Sequence, residues 1–248
     1  MPASGVAKRF QLGIVPAVTR HASSVLVLAL LCVTAIEFAV TERLKLETVP
    51  VEPTHVAKAF SPACKCDKAR ALIRFIVRRA DTLTVSIVNG HGQTVRDLAV
   101  HRRVLRGQPA FRWDGRDANG RIVPDGIYRI RLLLGREART IHLPQVIVVD
   151  TVRPVAQLTS FRPHVIAAGA RPRVVVTYRL SEPSHAVLFV DGVRRVLTFS
   201  SARSGRFQWF ARIGRKRLPS GRYRLQLAAL DAAGNLGPRT PTFVVRVR

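Results

Sequence analysis

Acidic residues are scarce in this chain. Fifteen Asp and Glu stand against 41 Lys and Arg, giving a formal net charge of +26 over 248 residues. Recognisable catalytic motifs are missing as well: there is no G-x-S-x-G, no H-E-x-x-H, no P-loop and no C-x-x-C. The seven histidines, at 21, 55, 91, 101, 142, 164 and 185, include no pair at metal-ligand spacing. Aromatic residues make up only 6% of the chain, too few and too dispersed to suggest a platform on which nucleic-acid bases could stack. After residue 70 no stretch carries a helical period, so a recognition helix is not expected either. These absences argue against an enzyme, against a bound cofactor or metal, and weaken a nucleic-acid reading.

What is present is apolar and β-like. Apolar residues amount to 47%, enough for a packed core, and 31 Gly and Pro (16 and 15) are spread along the chain as turn-formers. YRIRLLL (128–134) and YRLQLAAL (223–230) alternate apolar with Arg or Gln, which predicts strands with one face in a core and one in water. VVVTYRL (174–180), VLTF (196–199) and FVVRVR (243–248) read the same way, and the ambiguous window DKARALIRFIV (67–77) reads as β.

The N-terminus differs in kind. ASSVLVLALLCVTAIEFAV, residues 22–40, is an apolar run with Glu37 as its one charge, preceded by Lys8, Arg9 and Arg20. At ~1.5 Å per residue it spans roughly 28 Å, close to the thickness of a bilayer's hydrocarbon core. The expectation is an uncleaved transmembrane signal anchor, because the run continues past the cleavage-like Val33-Thr34-Ala35. Cleavage there, or a lipoprotein signal through Cys32, are the alternatives. The expected orientation is a cytoplasmic tail (1–21) and an exported C-terminal part. Residues 41–59, with Pro50 and Pro53, read as an extended stalk.

From Phe60 onward the chain repeats itself. Phe60-Ser-Pro62 answers to Phe161-Arg-Pro163, Thr82–Val88 to Ser184–Val190, and Gly92 to Gly192. Phe111-Arg-Trp113 answers to Phe207-Gln-Trp209, and Gly126-Ile-Tyr128 to Gly221-Arg-Tyr223. Several matches in the same order indicate duplication. Short strands in units of about 90–100 residues predict two tandem Ig-like or fibronectin-like β-sandwiches, over 60–150 and 155–248, joined at Asp150–Pro154.

The first copy resembles a known family. FSP before a strand, then VRxL at Val95–Leu98, then FRWDGRDANGRIVPDGIYRIRL, is similar to the Ig-like domain of the flagellar hook-capping protein FlgD. ALDAAGN (229–235), in the degenerate second copy, is similar to a turn of bacterial Ig-like surface repeats. The resemblance implies a sandwich with an adhesive, spacer or assembly role. It implies no hook-capping, since nothing upstream is similar to the rest of that protein.

The cluster WDGRDANGRIVPDGIY (113–128) invites a calcium reading, which fails on spacing. With Gly120 at position 6 of an EF-hand loop, Asp117 and Asn119 fit but Gly115 and Gly126 fall where ligands belong. The second copy keeps Trp209, Gly221 and Tyr223 but not the carboxylates, so Asp114, Asp117 and Asp125 read as turn residues. Trp113, Gly115, Gly120, Gly126 and Tyr128 then form a structural signature, with Trp113 and Tyr128 packing across the sandwich.

Two further features have no counterpart in that pattern. Cys64 and Cys66 form a candidate intradomain disulfide, with intermolecular bridging, free thiols or metal binding as alternatives. Residues 203–224 are basic without an acid, and Arg206, Arg212, Arg215, Lys216, Arg217 and Arg222 are the candidate polyanion contacts, expected on two strands and their turn. The arginine excess has a second source, a GC-rich genome. The resulting expectation is a membrane-anchored, non-catalytic envelope protein with an anionic wall polymer or envelope protein as partner. A nucleic-acid-binding protein, if the chain is not exported, or an accessory of a cell-wall enzyme or secretion assembly are the rivals.

Overall fold

The computed structural model describes residues 18–45, 50–136, 138–167, 173–213 and 216–248. Two compact units divide at Val49/Pro50. The first contains one helix, α1 (Val18–Lys45). Its side chains are described over 25–39 and at 41, and all are exposed, including Leu26, Leu30, Leu31, Ile36 and Phe38. Among the described residues, no helix is long and apolar enough to cross a membrane. The expected span is thus helical in backbone, with residues 22–24 and 40 outside the described side chains. The basic tail up to residue 17 also lies outside the described residues.

The second unit is all β. Its first half builds two sheets around one core. β1 (Val51–Val56), β3 (Ala71–Val77) and β6 (Ala110–Trp113) form one sheet, in the order β1-β3-β6. β2 (Ala59–Phe60), β4 (Asp81–Val88), β5 (Thr94–Val104), β7 (Gly126–Leu134) and β8 (Arg139–Val149) form the other, in the order β2-β8-β7-β4-β5. The alternation seen in sequence is realised in β3, where Ala71, Ile73, Phe75 and Val77 are buried, and in β7, where Tyr128, Ile130, Leu132 and Leu134 are. The ambiguous window is therefore a strand. The expected stalk is corrected over its second half: β1 pairs antiparallel with β3, and Val51 is buried. Pro53 is admissible there because β1 is an edge strand, and the register slips between Pro53 and His55.

The second half repeats the plan. β9 (Ala156–Arg162), β10 (Val165–Ile166), β11 (Val174–Val190), β12 (Val193–Leu197), β13 (Ala202–Trp209), the short hairpin β14 (Arg212–Ile213) and β15 (Lys216–Arg217), β16 (Gly221–Leu230) and β17 (Phe243–Val247) follow. β11 serves both leaflets. Its first part pairs with β9 and β13, and its part from His185 pairs with β12 and β16. In the first copy the equivalent β3 and β4 are separate strands.

Topology revises one repeat correspondence. Phe60 pairs in parallel with Val149, and the residue in that role in the second copy is Ile166, opposite Val247. Phe161 instead lies in β9 against Phe243, ring centroids 4.6 Å apart. The FSP/FRP likeness is thus a likeness of letters, not of position.

The two tryptophans differ in satisfaction. Trp113 is fully buried and its indole N–H donates to Arg116 O (3.0 Å), whereas buried Trp209 has no partner for its N–H among the described residues. Trp113→Phe opens a gap and orphans a bond, while Trp209→Phe removes an N–H that was already unpaired. Urea unfolding of the two variants is expected to show Trp113→Phe as the more destabilising, by roughly 1 kcal/mol.

Candidate functional site

The signature residues form a capped corner. The Trp113 ring lies 5.4 Å from Phe60 and 5.0 Å from Tyr128, centroid to centroid, the latter edge-on. The Tyr128 hydroxyl donates to Pro124 O (2.8 Å), which ties the strand start back to the preceding loop. Burial, and secondarily Asp125, hold the phenol above its ordinary pKa, so it stays a donor. Gly115 sits at φ +72°, and a Cβ there would meet Pro62 Cβ and Cγ at 2.8 Å, so the chain passes too close for any side chain.

The three aspartates act as backbone acceptors. Asp114 Oδ1 accepts from Arg116 N (3.2 Å), and Asp117 Oδ1 from Asn119 N and Arg121 N (both 2.9 Å). Asp125 takes both the N–H and the hydroxyl of Thr151 (3.0–3.1 Å). Asn119-Gly120 closes the Asp117 turn, with Gly120 N donating to Asp117 O (3.1 Å), and Gly126 opens β7. Among the described residues, no three His, Cys, Asp or Glu side chains group as metal ligands do.

The second copy rebuilds the corner with other letters. The Tyr223 hydroxyl donates to Pro219 O (2.8 Å), and Gly221 opens β16. Val123 N donates to Gly115 O, and Leu218 N correspondingly to Ala211 O (3.0 Å). Ala211 therefore holds the place of Gly115, at φ +46° and buried. That equivalence is invisible in sequence, because alanine rarely adopts positive φ.

A second constellation lies where the copies meet. Cys64 and Cys66 are joined by a disulfide, and Cys66 Sγ lies 3.7 Å from Gly234 O of the second copy. Lys68 Nζ donates to Ala232 O (2.7 Å). Gly234, at φ +97°, has no room for a Cβ, which would approach Cys66 Sγ to 2.8 Å. Buried Asn235 links the parts: its amide donates to Asp150 O in the connector and to Asp231 Oδ2, both at 2.8 Å. Asp231 Oδ1 in turn accepts from the N–H groups of Gly234 and Asn235. Sequence reasoning noticed ALDAAGN as a turn but not as a joint. The available signal was Asp followed three and four residues later by Gly and Asn, the spacing of a self-capping loop.

The joint concentrates acid. Burial, then neighbouring Asp231 and Asp125, raise Asp150 above its ordinary carboxylate pKa, against the opposing hydrogen bond from Val152 N. Glu182 is raised by burial and by Asp150 and Asp231, with Arg203 opposing. Its Oε1 is buried without a hydrogen-bond partner among the described residues.

The predicted polyanion contacts are not on one face. Exposed Arg206 lies on β13, paired with β11 in one leaflet, and exposed Arg222 lies on β16 in the other. Arg212, Lys216 and Arg217 occupy the short hairpin between them, also exposed, while Arg215 lies outside the described residues. Two strands and one turn were expected; the intervening β14–β15 hairpin divides the group.

Replacing Asp114, Asp117 and Asp125 together with Asn retains an acceptor at each turn. The melting temperature is expected to fall by only a few degrees, and added calcium is expected to shift neither protein; a calcium shift in the wild type alone refutes the capping role. For Glu182, the raised folded pKa means the acid favours folding below its unfolded pKa, about 4.3, and that contribution is lost as pH rises through the folded value. Glu182→Gln, which mimics the neutral acid, is therefore expected to melt higher than wild type at pH 7. The difference is expected to vanish near pH 4.

Residues 69–134 match the family described as FlgD Ig-like domain. Among solved structures, the fibronectin(III)-like modules of Clostridium thermocellum CbhA are similar at 14% identity and TM-score 0.45, over 80% of this chain and 94% of that one. The BSP domain of a biofilm-associated protein is similar at 14% identity and TM-score 0.28, over 80% of this chain and 30% of that one. A domain of a 1.5-MDa bacterial ice-binding adhesin is similar at 13% identity and TM-score 0.31, over 79% and 63%. At such identities the likeness is one of fold only. No curated protein matches the chain. The first sandwich of this chain, over residues 69–134, carries an FlgD Ig-like domain.

Proposed function

We propose that this chain is a non-catalytic Ig-like scaffold of the cell envelope, held to the membrane by residues 22–40 with both sandwiches outside the cytoplasm. One observation carries the non-catalytic part. The polar side chains of the WDGRDANGRIVPDGIY corner are committed to backbone groups, with Asp114, Asp117 and Asp125 each accepting from N–H donors of their own turns or of the connector. The turns and the connector thus account for the presence of these carboxylates.

The anchoring part rests on sequence, supported by the character of α1. Over 25–39 the helix is apolar apart from Thr34 and Glu37, and its side chains are exposed. A helix that is hydrophobic all round has its solvent in a protein core or a bilayer. Lys8, Arg9 and Arg20 precede it, as the positive-inside bias requires of a cytoplasmic N-terminus.

The structural role follows from the joint. The connector and both copies contribute to one bonded network through Asn235, Lys68 and the Cys64–Cys66 loop. Such a network suits a spacer or assembly module that holds its surfaces in fixed relation. The second reading, a nucleic-acid-binding protein of the cytoplasm, is favoured by the net charge of +26 alone.

A reporter that is active only outside the cytoplasm, fused after Arg248, is expected to be active and to fractionate with membranes. Silence of that reporter, with activity of a cytoplasmic one at the same position, overturns the proposal in favour of the second reading.

A further inference from the structure

The second sandwich is electrically polarised along its strands. Within 155–248 the acids are Glu182, Asp191 and Asp231. Glu182 and Asp231 belong to the joint, at the Leu230 end of β16, where Asp150 raises the pKa of Glu182. β16 runs Gly221–Leu230, so its far end lies roughly 30 Å away at ~3.3 Å per residue. That is several times the ~8 Å over which exposed charges interact at physiological ionic strength. Asp191 lies at that far end: its carboxylate accepts from the backbone N–H of Arg224 (2.9 Å), and after burial its charge raises the pKa of Tyr223, so one acid stands against Arg222, Arg224 and Arg246 there.

The register of the second sandwich sets arginine against arginine twice, once at that far end and once in the β14–β15 hairpin. Arg222 on β16 is directly opposite Arg246 on β17, and Arg212 is directly opposite Arg217 in the β14–β15 hairpin. All four are exposed. Arg224 continues the outward row of β16, since Tyr223 and Leu225 turn toward the core. Directly opposed side chains have Cβ atoms about 4.5–5.5 Å apart, and like charges there destabilise a sheet. Both pairs lack a carboxylate partner: among the described residues the ion pair of the fold is Arg78–Glu52, in the first sandwich.

We infer that the far end of the second sandwich, with the opposed Arg222 and Arg246 at its centre and Arg224 next in the same outward row, is a binding surface for a linear phosphate-bearing polyanion. Guanidinium forks meet phosphate oxygens with two hydrogen bonds each. A phosphate seated between opposed arginines turns the repulsion into attraction, and a polymer with one anion per repeat can continue from that pair to Arg224 in the same row. The inference deepens the anionic-partner reading of the proposed scaffold. Of the contacts expected from sequence it retains Arg222, and it adds Arg224 and Arg246 on the β16–β17 face.

The test uses the full chain in a non-ionic detergent, with long-chain inorganic polyphosphate as probe and orthophosphate at equal phosphorus as the monomeric control. Arg222→Gln/Arg246→Gln is compared with Arg79→Gln/Arg103→Gln, which removes the same charge from exposed positions of the first sandwich. Wild type is expected to bind polyphosphate and not orthophosphate. The Arg222/Arg246 variant is expected to lose at least fivefold in affinity and to show a shallower salt dependence, by roughly 0.7 per lost contact on the scale of single-stranded polyanions. The control pair is expected to lose less than twofold. Without polyphosphate the Arg222/Arg246 variant is expected to melt above wild type, because a repulsive pair is gone; a merely structural role predicts the reverse. Equal losses in both variants, or no binding by wild type, overturn the site. Neither outcome touches the reporter experiment, so the scaffold proposal stands or falls separately.

Discussion

Both sandwiches close on the same bond. A tyrosine hydroxyl, Tyr128 or Tyr223, donates at 2.8 Å to the carbonyl of the proline four residues upstream, Pro124 or Pro219. That bond fixes where β7 and β16 begin, and through them the alternation that places Ile130, Leu132, Leu225 and Leu227 in the two cores. In the first copy the corner is closed further by Trp113 against Phe60 and Tyr128, with Pro62 filling the space over Gly115. In the second copy, Ala211 adopts the positive φ that glycine supplies in the first, and Trp209 has no partner for its N–H among the described residues. The degenerate copy thus keeps the corner's geometry with poorer local chemistry.

Charge is distributed in relation to the joint. Carboxylates of Asp125, Asp150, Glu182 and Asp231 gather around the connector, close enough for neighbouring charge to raise the pKa of Asp150 and Glu182. Their mutual repulsion is partly offset by Asn235, which binds the connector carbonyl of Asp150 and the Asp231 carboxylate together. At the opposite end of β16, by contrast, exposed Arg222, Arg224 and Arg246 stand against a single acid, Asp191, whose carboxylate accepts from Arg224 N. A net charge of +26 would by itself suggest a uniformly basic surface. The strand register makes it a directional one.

The disulfide belongs to this arrangement. Cys64 and Cys66 lie in a loop of the first copy, yet the contact made by Cys66 is to Gly234 of the second. Lys68 in the same loop reaches Ala232. A loop that departs from the family pattern in sequence is therefore the one on which the neighbouring sandwich rests.

Alternation and turn residues made the β-strands, the duplication and the turn roles of Asp114 and Asp117 readable from sequence, whereas the tie of Asp125 to Thr151, 26 residues further on, was not. The Trp–Tyr corner was readable because its parts lie within 16 residues, 113–128. Contacts between distant segments were not. β1 was expected as a stalk, since its pairing with β3 shows only when Val51 meets its partner across the sheet. The likeness of Phe60 to Phe161 was misleading because parallel pairing with β8 or β17, rather than neighbouring letters, decides position. The basic run 203–224 declared the charge but not its geometry. Only the tertiary register could put Arg206 on one leaflet and Arg222 on the other, opposite an Arg246 that lies 24 residues further along the chain.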